Sequence, residues 1–342
     1  MLLRIIELVG GVAIVLLTLR DVFDTVVVPG GSRASLHVAR RLLHVLLPAW
    51  RVLRPNKGIS TTFAPVLLVA AFVAWSGLML IGFGLMAHAV GSRFDPPVRS
   101  LAEGAYLAGS SMVTLGLSGT VAHGSARWVV VAAGYCGLAA ITMAVTYLLE
   151  IQSSVSKRDV GIYKLNTSAG EPPSALTLLE TYAALGCEDD IPRVLRESRD
   201  WCTTVRQSHA SHPSLIYFRS TGTGAGWPAA LGALLDLSLI ASRMVAKEEW
   251  RGPALLLRAE GLRMAEELAR LSRLKPAEDD DTSEEDLAEL RRRLGKAGYA
   301  LRPEQDASTA LRERRANVAC VKAMADHLGK PSSPFLPPLT GA

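Results

Sequence analysis

The sequence predicts an all-α membrane protein, with a membrane domain followed by an all-α cytosolic domain. The chain has 342 residues, of which 49% are hydrophobic, and its mean hydropathy is +0.24. The apolar residues concentrate before Glu150, whereas the second half carries dense charge and a proline-rich tail. This asymmetry is typical of a membrane domain joined to a water-exposed one. The second half shows helical periodicity and no alternating β-branched runs, so we expect helices there.

Three apolar stretches are long enough to cross a bilayer, which takes about 20 residues at a rise of about 1.5 Å each. Residues 2–19 predict an N-terminal transmembrane helix within 1–28, residues 62–90 a second span and residues 128–150 a third. A signal peptide is the alternative for the first stretch. It is disfavoured because the sequence RDVFD, and not a small-residue cleavage site, follows it.

The basic segment 29–60 predicts the orientation, because it holds arginines and a lysine but no acid. Lys and Arg mark the cytoplasmic side of membrane segments, so we expect this segment and everything after Glu150 to be cytoplasmic. The N-terminus and the loop between the second and third spans are then extracellular. The protein would be a multi-pass protein of the cell (inner) membrane.

Part of that basic segment, residues 36–53, is apolar enough to be considered as a fourth span. Three arginines would then enter the bilayer, each at a cost of roughly 2.5–3.5 kcal/mol. His37, Arg41 and His44 share one helical face. We therefore favour a helix that lies in the inner membrane interface.

Residues 100–119, SLAEGAYLAGSSMVTLGLSG, lie between the second and third spans. The first half favours a helix too short to cross a bilayer, and the glycines and serine of the second half favour irregular backbone. Such backbone is tolerated at membrane depth only where it is buried in protein or lines a water-filled cavity. Carbonyl groups exposed there can replace the hydration shell of a cation. The residues therefore indicate a re-entrant loop of an ion pore, within a pore domain of residues 61–152.

The order of helix, pore helix, filter and inner helix over residues 62–150 resembles the pore-loop potassium channels. Their filter reads Thr-Val-Gly-Tyr-Gly; the filter residues here are Thr114, Leu115, Gly116, Leu117, Ser118 and Gly119. The resemblance implies a potassium-channel-like pore module in a homotetramer that conducts K⁺ or other monovalent cations. Because Leu117 replaces the aromatic residue and Ser118 the second glycine, we expect weakened selectivity. The string TLGLSGT also resembles the single-glycine pore loop of the Trk/Ktr potassium transporters.

Residues on the third span suit a pore. Gly134 and Gly137 lie where inner helices of this class often hinge, although small residues suit tight helix packing equally well. On the pore helix, Glu103 and Tyr106 are candidates to support the filter, and Glu103 alternatively favours the helix N-terminus. The predicted pore-lining or gate residues are Thr142, Val145, Thr146, Leu149 and Glu150.

The second half divides into a polar linker (153–173), a helical cytosolic domain (174–330) and a tail (331–342) expected to be disordered. Helical periods cover 174–186, 189–207, 227–248, 252–274, 283–296 and 307–328. The glycine-rich string at 222–226 precedes one of these helices, where it could hold an anion. No strand-helix alternation surrounds it, as a dinucleotide fold requires, so we favour a turn between helices.

The remaining patterns exclude several classes of function. No nucleophile–base arrangement is visible, so we expect no enzyme and no catalytic residue. His209 and His212 lack a neighbouring acid or cysteine, so we predict neither a metal site nor a cofactor. The net charge of +5 lies largely beside membrane segments and accompanies no groove-reading motif, which disfavours nucleic acid. The sequence thus favours a homotetrameric cation channel surrounded by membrane lipid. The alternatives are a non-conducting membrane-anchored signalling or scaffold protein and a potassium-transporter-like subunit.

Overall fold

A computed structural model describes residues 1–26, 28, 38, 41, 42, 45, 57–116, 119–220, 222–277, 282–303 and 307–338. The chain divides into two compact units, Met1–Ile151 and Gln152–Ala342. The α-helices are α1 Leu2–Val26, α2 Lys57–Ala89, α3 Leu101–Met112, α4 Ala126–Ala169, α5 Ala175–Ala184, α6 Ile191–Ser211, α7 Gly226–Arg243, α8 Glu248–Leu271, α9 Glu284–Lys296 and α10 Ala307–Leu328. Two short strands, β1 Phe94–Asp95 and β2 Val121–Ala122, pair antiparallel.

Three helices among the described residues are long and apolar enough to cross a membrane, which confirms an all-α membrane protein. They are α1, the stretch Pro65–Ala89 of α2, and α4. The predicted interfacial helix at 36–53 falls largely outside the described residues. Of that segment the structure describes only Val38, Arg41, Leu42 and Val45, which are helical.

In the first unit, α1 and α2 form an antiparallel pair. Near one end Glu7 Oε2 lies 2.9 Å from His88 Nδ1. In the middle the backbones approach closely, since a Cβ atom on Gly11 would lie 2.5 Å from the carbonyl oxygen of Gly82. At the other end the indole of Trp75 donates a 2.9 Å hydrogen bond to the buried carboxyl group of Asp21. The two helices are therefore joined at three levels.

The short helix α3 packs back along α2. A Cβ atom on Gly104 would lie 2.7 Å from the carbonyl oxygen of Gly84, and one on Gly109 would lie 3.1 Å from the side chain of Leu80. As residue numbers rise along α3 they fall along α2, so the two helices are antiparallel. Met79 and Phe83 of α2 lie in the core of this unit with Leu107 of α3. The absence of Cβ atoms at these glycines is what allows the close approach.

In the second unit, α7 is the central helix, since it is buried on every side. A helix that is apolar all round belongs in a core. Its one acid, Asp236, is paired with Arg314 of α10 at 3.1 Å, so the buried charge is compensated. Helices α6 and α8 pack on each other, and α8 and α10 pack on α7.

Two sequence predictions for the second half are wrong. The segment 153–173, predicted as a linker, is helical as far as Ala169 because α4 continues without a break. Among its polar residues, Arg158 is fully buried and donates hydrogen bonds to the carbonyl oxygens of Leu215 and Phe218. Burial in the second unit thus keeps this stretch helical, despite a composition that suggested a spacer.

The tail 331–342 is also not disordered where the structure describes it, up to residue 338. Phe335 is buried, and the guanidinium carbon of Arg314 lies 4.3 Å from the centre of its ring. Arg293 donates a 2.7 Å hydrogen bond to the carbonyl oxygen of Pro337. Ser333 donates a 2.8 Å hydrogen bond to that of Pro173. An aromatic anchor and two arginines therefore hold a segment whose composition suggested disorder.

Candidate functional site

The candidate site begins at the start of α3, where the side chains fix the helix N-terminus. The hydroxyl group of Ser100 accepts a 3.2 Å hydrogen bond from the amide of Glu103. The carboxylate of Glu103 accepts a 2.7 Å hydrogen bond from the amide of Arg99. The first bond satisfies an amide that the helix leaves free, and the second ties the residue before the N-cap to the first turn. Glu103 therefore stabilises the entry to α3, and Tyr106, the other predicted supporting residue, is exposed in the single chain.

The backbone turns sharply where α3 ends, at the predicted filter. The amide of Leu115 donates a 2.9 Å hydrogen bond to the carbonyl oxygen of Ser110. Thr114 has a φ of 56° and Gly116 a φ of 62°, so both lie in the left-handed region. The Leu115 side chain between them is 59% exposed in the single chain. Helical backbone cannot continue through such angles, which ends α3 at this point.

The rest of the predicted filter is described only in part. Leu117 and Ser118 lie outside the described residues, and Gly119 is exposed. After it the chain returns through β2, which pairs with β1 in the register Phe94 opposite Ala122 and Asp95 opposite Val121. The β1–β2 pair therefore brings together the segment before α3 and the segment after the predicted filter. Sequence reasoning missed it, because two-residue strands carry no periodicity.

The C-terminal end of α3 lies well inside the helix bundle. Gly109 contacts Leu80 of α2, which is nine residues, or about 14 Å, from the end of α2 at Ala89. The Met112 carbonyl meets Gly137 of α4, eleven residues or about 16 Å from the start of α4 at Ala126. The last turn of α3 therefore sits about half of a 30 Å hydrocarbon core away from these helix ends.

Gly134 and Gly137, the predicted hinge residues, are contact positions in the structure. A Cβ atom on Gly134 would lie 3.3 Å from the carbonyl oxygen of Ser111, and one on Gly137 would overlap the backbone of Met112. Helix α4 runs through both positions without a break. The observed contacts match the tight-packing alternative for these two glycines.

The predicted pore-lining side chains are all exposed along α4 in the single chain. The hydroxyl groups of Thr142 and Thr146 donate 2.9 Å hydrogen bonds to the carbonyl oxygens four residues before them. Val145, Leu149 and Glu150 are exposed in the single chain. Two of these residues belong to a longer stripe of exposed apolar side chains on α4, spaced by three and four residues: Trp128, Val131, Tyr135, Leu138, Ile141, Val145 and Leu149.

In the glycine-rich string before α7, a carboxylate of the protein itself already binds a backbone amide. The carboxylate of Glu171 accepts a hydrogen bond from the amide of Gly224. The ammonium group of Lys330 donates a 2.7 Å hydrogen bond to the Gly224 carbonyl oxygen, and Thr223 accepts one from the amide of Gly226 at 2.9 Å. The loop is a turn held by side chains of its own unit, in agreement with the favoured interpretation.

His209 and His212 do not converge with further ligands in the structure. No group of three or more His, Cys, Asp and Glu side chains suited to a metal occurs in the described part of the chain. His209 is 1% exposed and its Nδ1 lies 2.8 Å from the carbonyl oxygen of Val205. Burial, followed by the nearby charge of Arg158, lowers the pKa of His209 to about 3. It is a neutral core residue at physiological pH.

Sequence reasoning also missed the residues that hold α3 in place. Gly84 and Gly104 set the distance between α2 and α3, and Arg93 donates a hydrogen bond to Ser125 across the ends of the loop. A glycine on each of two neighbouring helices can signal a close helix–helix contact of this kind. The pairing only becomes apparent once α3 is known to fold back on α2.

Comparison with protein-family models, with curated proteins and with solved structures gives no match.

Proposed function

We propose that this protein is a homotetrameric cation channel of the inner membrane, permeable to K⁺, with its C-terminal unit in the cytoplasm. One observation carries the proposal. Helix α3 is about 18 Å long, folds back between two candidate spans and ends at left-handed residues within the bundle. Backbone of this kind at membrane depth needs either burial in protein or a water-filled cavity.

The direction of α3 supports a cation as the permeant ion. Its N-terminus begins at the N-cap Ser100. Its C-terminal end lies within the bundle, where Gly109 contacts Leu80 and Met112 contacts Gly137. The C-terminal end of a helix carries about half a negative charge, which favours a cation. The backbone carbonyls from Thr114 to Gly116 follow at that end. Carbonyl groups in such a place can substitute for water around K⁺.

Tetramerisation follows from the number of loops. One chain supplies one loop, and one loop cannot surround an axis. The part of the exposed apolar stripe on α4 from Trp128 to Leu138, together with the exposed Leu115, offers surface for neighbouring copies. In such a bundle Thr142, Val145 and Leu149 would line the path below the filter.

The proposal includes weak discrimination between K⁺ and Na⁺. Strong selectivity in pore-loop channels depends on several carbonyl rings held in register, through cavity size or through ligand number and field strength. Leu117 offers no hydroxyl group to brace the loop, and Ser118 lacks the freedom of glycine at positive φ. We expect fewer coordination rings, centred on Thr114 and Gly116.

Ion flux in liposomes tests the proposal. Purified protein should conduct K⁺, with a reversal potential in mixed K⁺ and Na⁺ that reveals poor discrimination. The double variant Leu117→Tyr, Ser118→Gly should become more selective. Leu185→Tyr, on an exposed site of the second unit, is the matched control and should behave like the wild type.

Two results would contradict the proposal. A monomer or dimer in mild detergent leaves no closed pore. An intact tetramer without flux of any monovalent cation would favour the non-conducting scaffold. Strong K⁺ selectivity in the wild type would contradict only the expected effect of Leu117 and Ser118.

A further inference from the structure

A groove of about 830 Å³ lies between α4 and α6, wholly within the unit Gln152–Ala342. The two helices approach closely beside it, because a Cβ atom on Gly161 would overlap the indole of Trp201. That indole donates a 2.9 Å hydrogen bond to the carbonyl oxygen of Arg158, which fixes the ring. The volume falls within the range of about 300–1,000 Å³ that small-molecule sites occupy.

The charges around the groove do not cancel. Arg193 pairs with Asp190 at 3.0 Å and with Glu197 at 3.4 Å, and Asp200 pairs with Arg199 at 2.8 Å. The three acids beside the groove therefore share two arginines, so one negative charge remains against the two lysines that line the groove, Lys157 and Lys164.

The lysines of the groove, in contrast, have no such partners. Lys157 and Lys164 make no ion pair or hydrogen bond within the part of the chain that the structure describes. They lie seven residues apart on α4, about 10.5 Å along its axis, and both side chains line the groove. Flexible ammonium groups at this distance can converge on one anionic group.

The floor of the groove is apolar. Leu178 of α5 and Leu234 of α7 form it and are buried beneath its surface. Val160 and the rings of Tyr182 and Trp201 form the walls. Ligands that bind in such grooves usually place an apolar body against the protein and make few polar contacts.

We propose that this groove binds an organic anion, with a phosphate or carboxylate held by Lys157 and Lys164 and an apolar body over Leu178 and Leu234. The site lies outside the proposed pore and does not depend on ion conduction. The same chemistry is offered by a soluble nucleotide and by the head group of an acidic lipid. The experiment therefore includes one probe from each source.

Thermal stability of the full chain gives the readout, because a ligand that binds the folded state raises Tm. The probes are ATP in neutral detergent, and nanodiscs of phosphatidylglycerol compared with phosphatidylcholine. We expect one probe to raise Tm. In Lys157→Gln, Lys164→Gln the apparent Kd for that probe should weaken about tenfold or more, as lost charge-assisted hydrogen bonds require.

Two further variants make the test specific. Lys275→Gln, Lys296→Gln removes two exposed lysines away from the groove, with the same change in net charge, and should keep the wild-type response. Val160→Trp fills the groove with both lysines intact and should abolish the response. The proposal is overturned if neither probe raises Tm, or if the rise is the same in the Lys157, Lys164 variant as in the control.

Discussion

Thr114 and Gly116 share left-handed backbone but differ in what that conformation costs. Glycine adopts positive φ freely, whereas a β-branched residue such as threonine does so only under constraint. The structure places Thr114 at a φ of 56°, next to a helix end that Met112 and Gly137 hold. Strained residues of this kind concentrate at functional sites. The observed angle therefore adds a physical reason to regard this threonine as part of the site.

Gly116→Ala tests the conformational requirement at the proposed filter. Within the described part of a single chain, a Cβ atom at this position would meet nothing within 4 Å, so the strain there comes from the φ of 62°. An L-residue there costs roughly 1–2 kcal/mol, and we expect K⁺ flux to fall about tenfold or more. Gly77→Ala on α2, where a Cβ atom also meets nothing, is the matched control and should conduct normally. Equal flux in both variants would show that the left-handed conformation is not required.

His209 makes the stability of the second unit depend on pH. Its pKa is lowered to about 3 in the folded protein, against about 6.5 in an unfolded chain. Between these values the unfolded state binds the additional proton. Stability is therefore full above pH of about 6.5 and is lost as pH falls towards 3, by up to about 1.4 kcal/mol per pH unit.

Tm measured between pH 7.5 and pH 5 checks this prediction. The decrease in Tm should be smaller in His209→Phe, which keeps an aromatic ring near Trp227 but cannot be protonated. His123→Phe, at an exposed site, should retain the wild-type decrease. The same slope in His209→Phe and the wild type would assign the pH dependence to other groups.

At the scale of elements, α3 and α4 meet at two glycines that the structure distinguishes. A Cβ atom on Gly137 would overlap the backbone of Met112, whereas one on Gly134 would lie 3.3 Å from the Ser111 oxygen. We expect Gly137→Ala to destabilise the protein by about 1–3 kcal/mol through overpacking. Gly134→Ala should cost less, since its neighbour has to move only a few tenths of an ångström.

Thermal unfolding and flux measured together separate packing from hinge motion. If the glycines act through packing, Tm falls more in Gly137→Ala than in Gly134→Ala. A hinge would instead leave Tm unchanged in both variants and alter the fraction of time the pore conducts. That second pattern would restore the hinge interpretation of α4.

For the whole molecule, cysteine labelling tests the predicted orientation. Arg99→Cys, before α3, should react with a membrane-impermeant maleimide in intact cells. Cys187 is exposed in the second unit and should react only after permeabilisation, which provides an internal reference in the same protein. The reverse pattern would contradict the orientation deduced from the basic segment. Labelling of both Arg99→Cys and Ser32→Cys in intact cells would instead favour four spans.

Most helices were predictable because their capping residues and their helical periodicity in the sequence agree with how they pack. Helix α9 has a capping box of Ser283 and Asp286, and α10 begins and ends where its period does. The continuation of α4 to Ala169 was not predictable, since it depends on the burial of Arg158 by a segment almost 60 residues later.

For the candidate site, the position of the loop was predictable from the sequence, but its detailed geometry was not. The shortness of α3 and the glycine at 116 are visible in the sequence, and they located the loop. The left-handed angle at Thr114 and the contact of Met112 with Gly137 arise from tertiary packing. Such contacts leave no periodic pattern in the sequence. The sequence alone therefore could not decide between a hinge and tight packing for Gly134 and Gly137.

The pairing of Asp21 with Trp75 has a consequence for biosynthesis. A ribosome delivers the carboxyl group of Asp21 to the membrane before its indole partner, 54 residues later, has been made. During that interval the carboxyl group at the end of α1 lacks the indole donor, although the amide of Val38, which donates a 3.2 Å hydrogen bond to the same oxygen, is made earlier. We expect a nascent chain arrested before residue 57 to retain α1 in the membrane less completely than a chain extended past α2. Asp21→Leu should remove most of that difference in a carbonate-extraction assay. Membrane retention of α1 would then no longer depend on whether α2 has been synthesised.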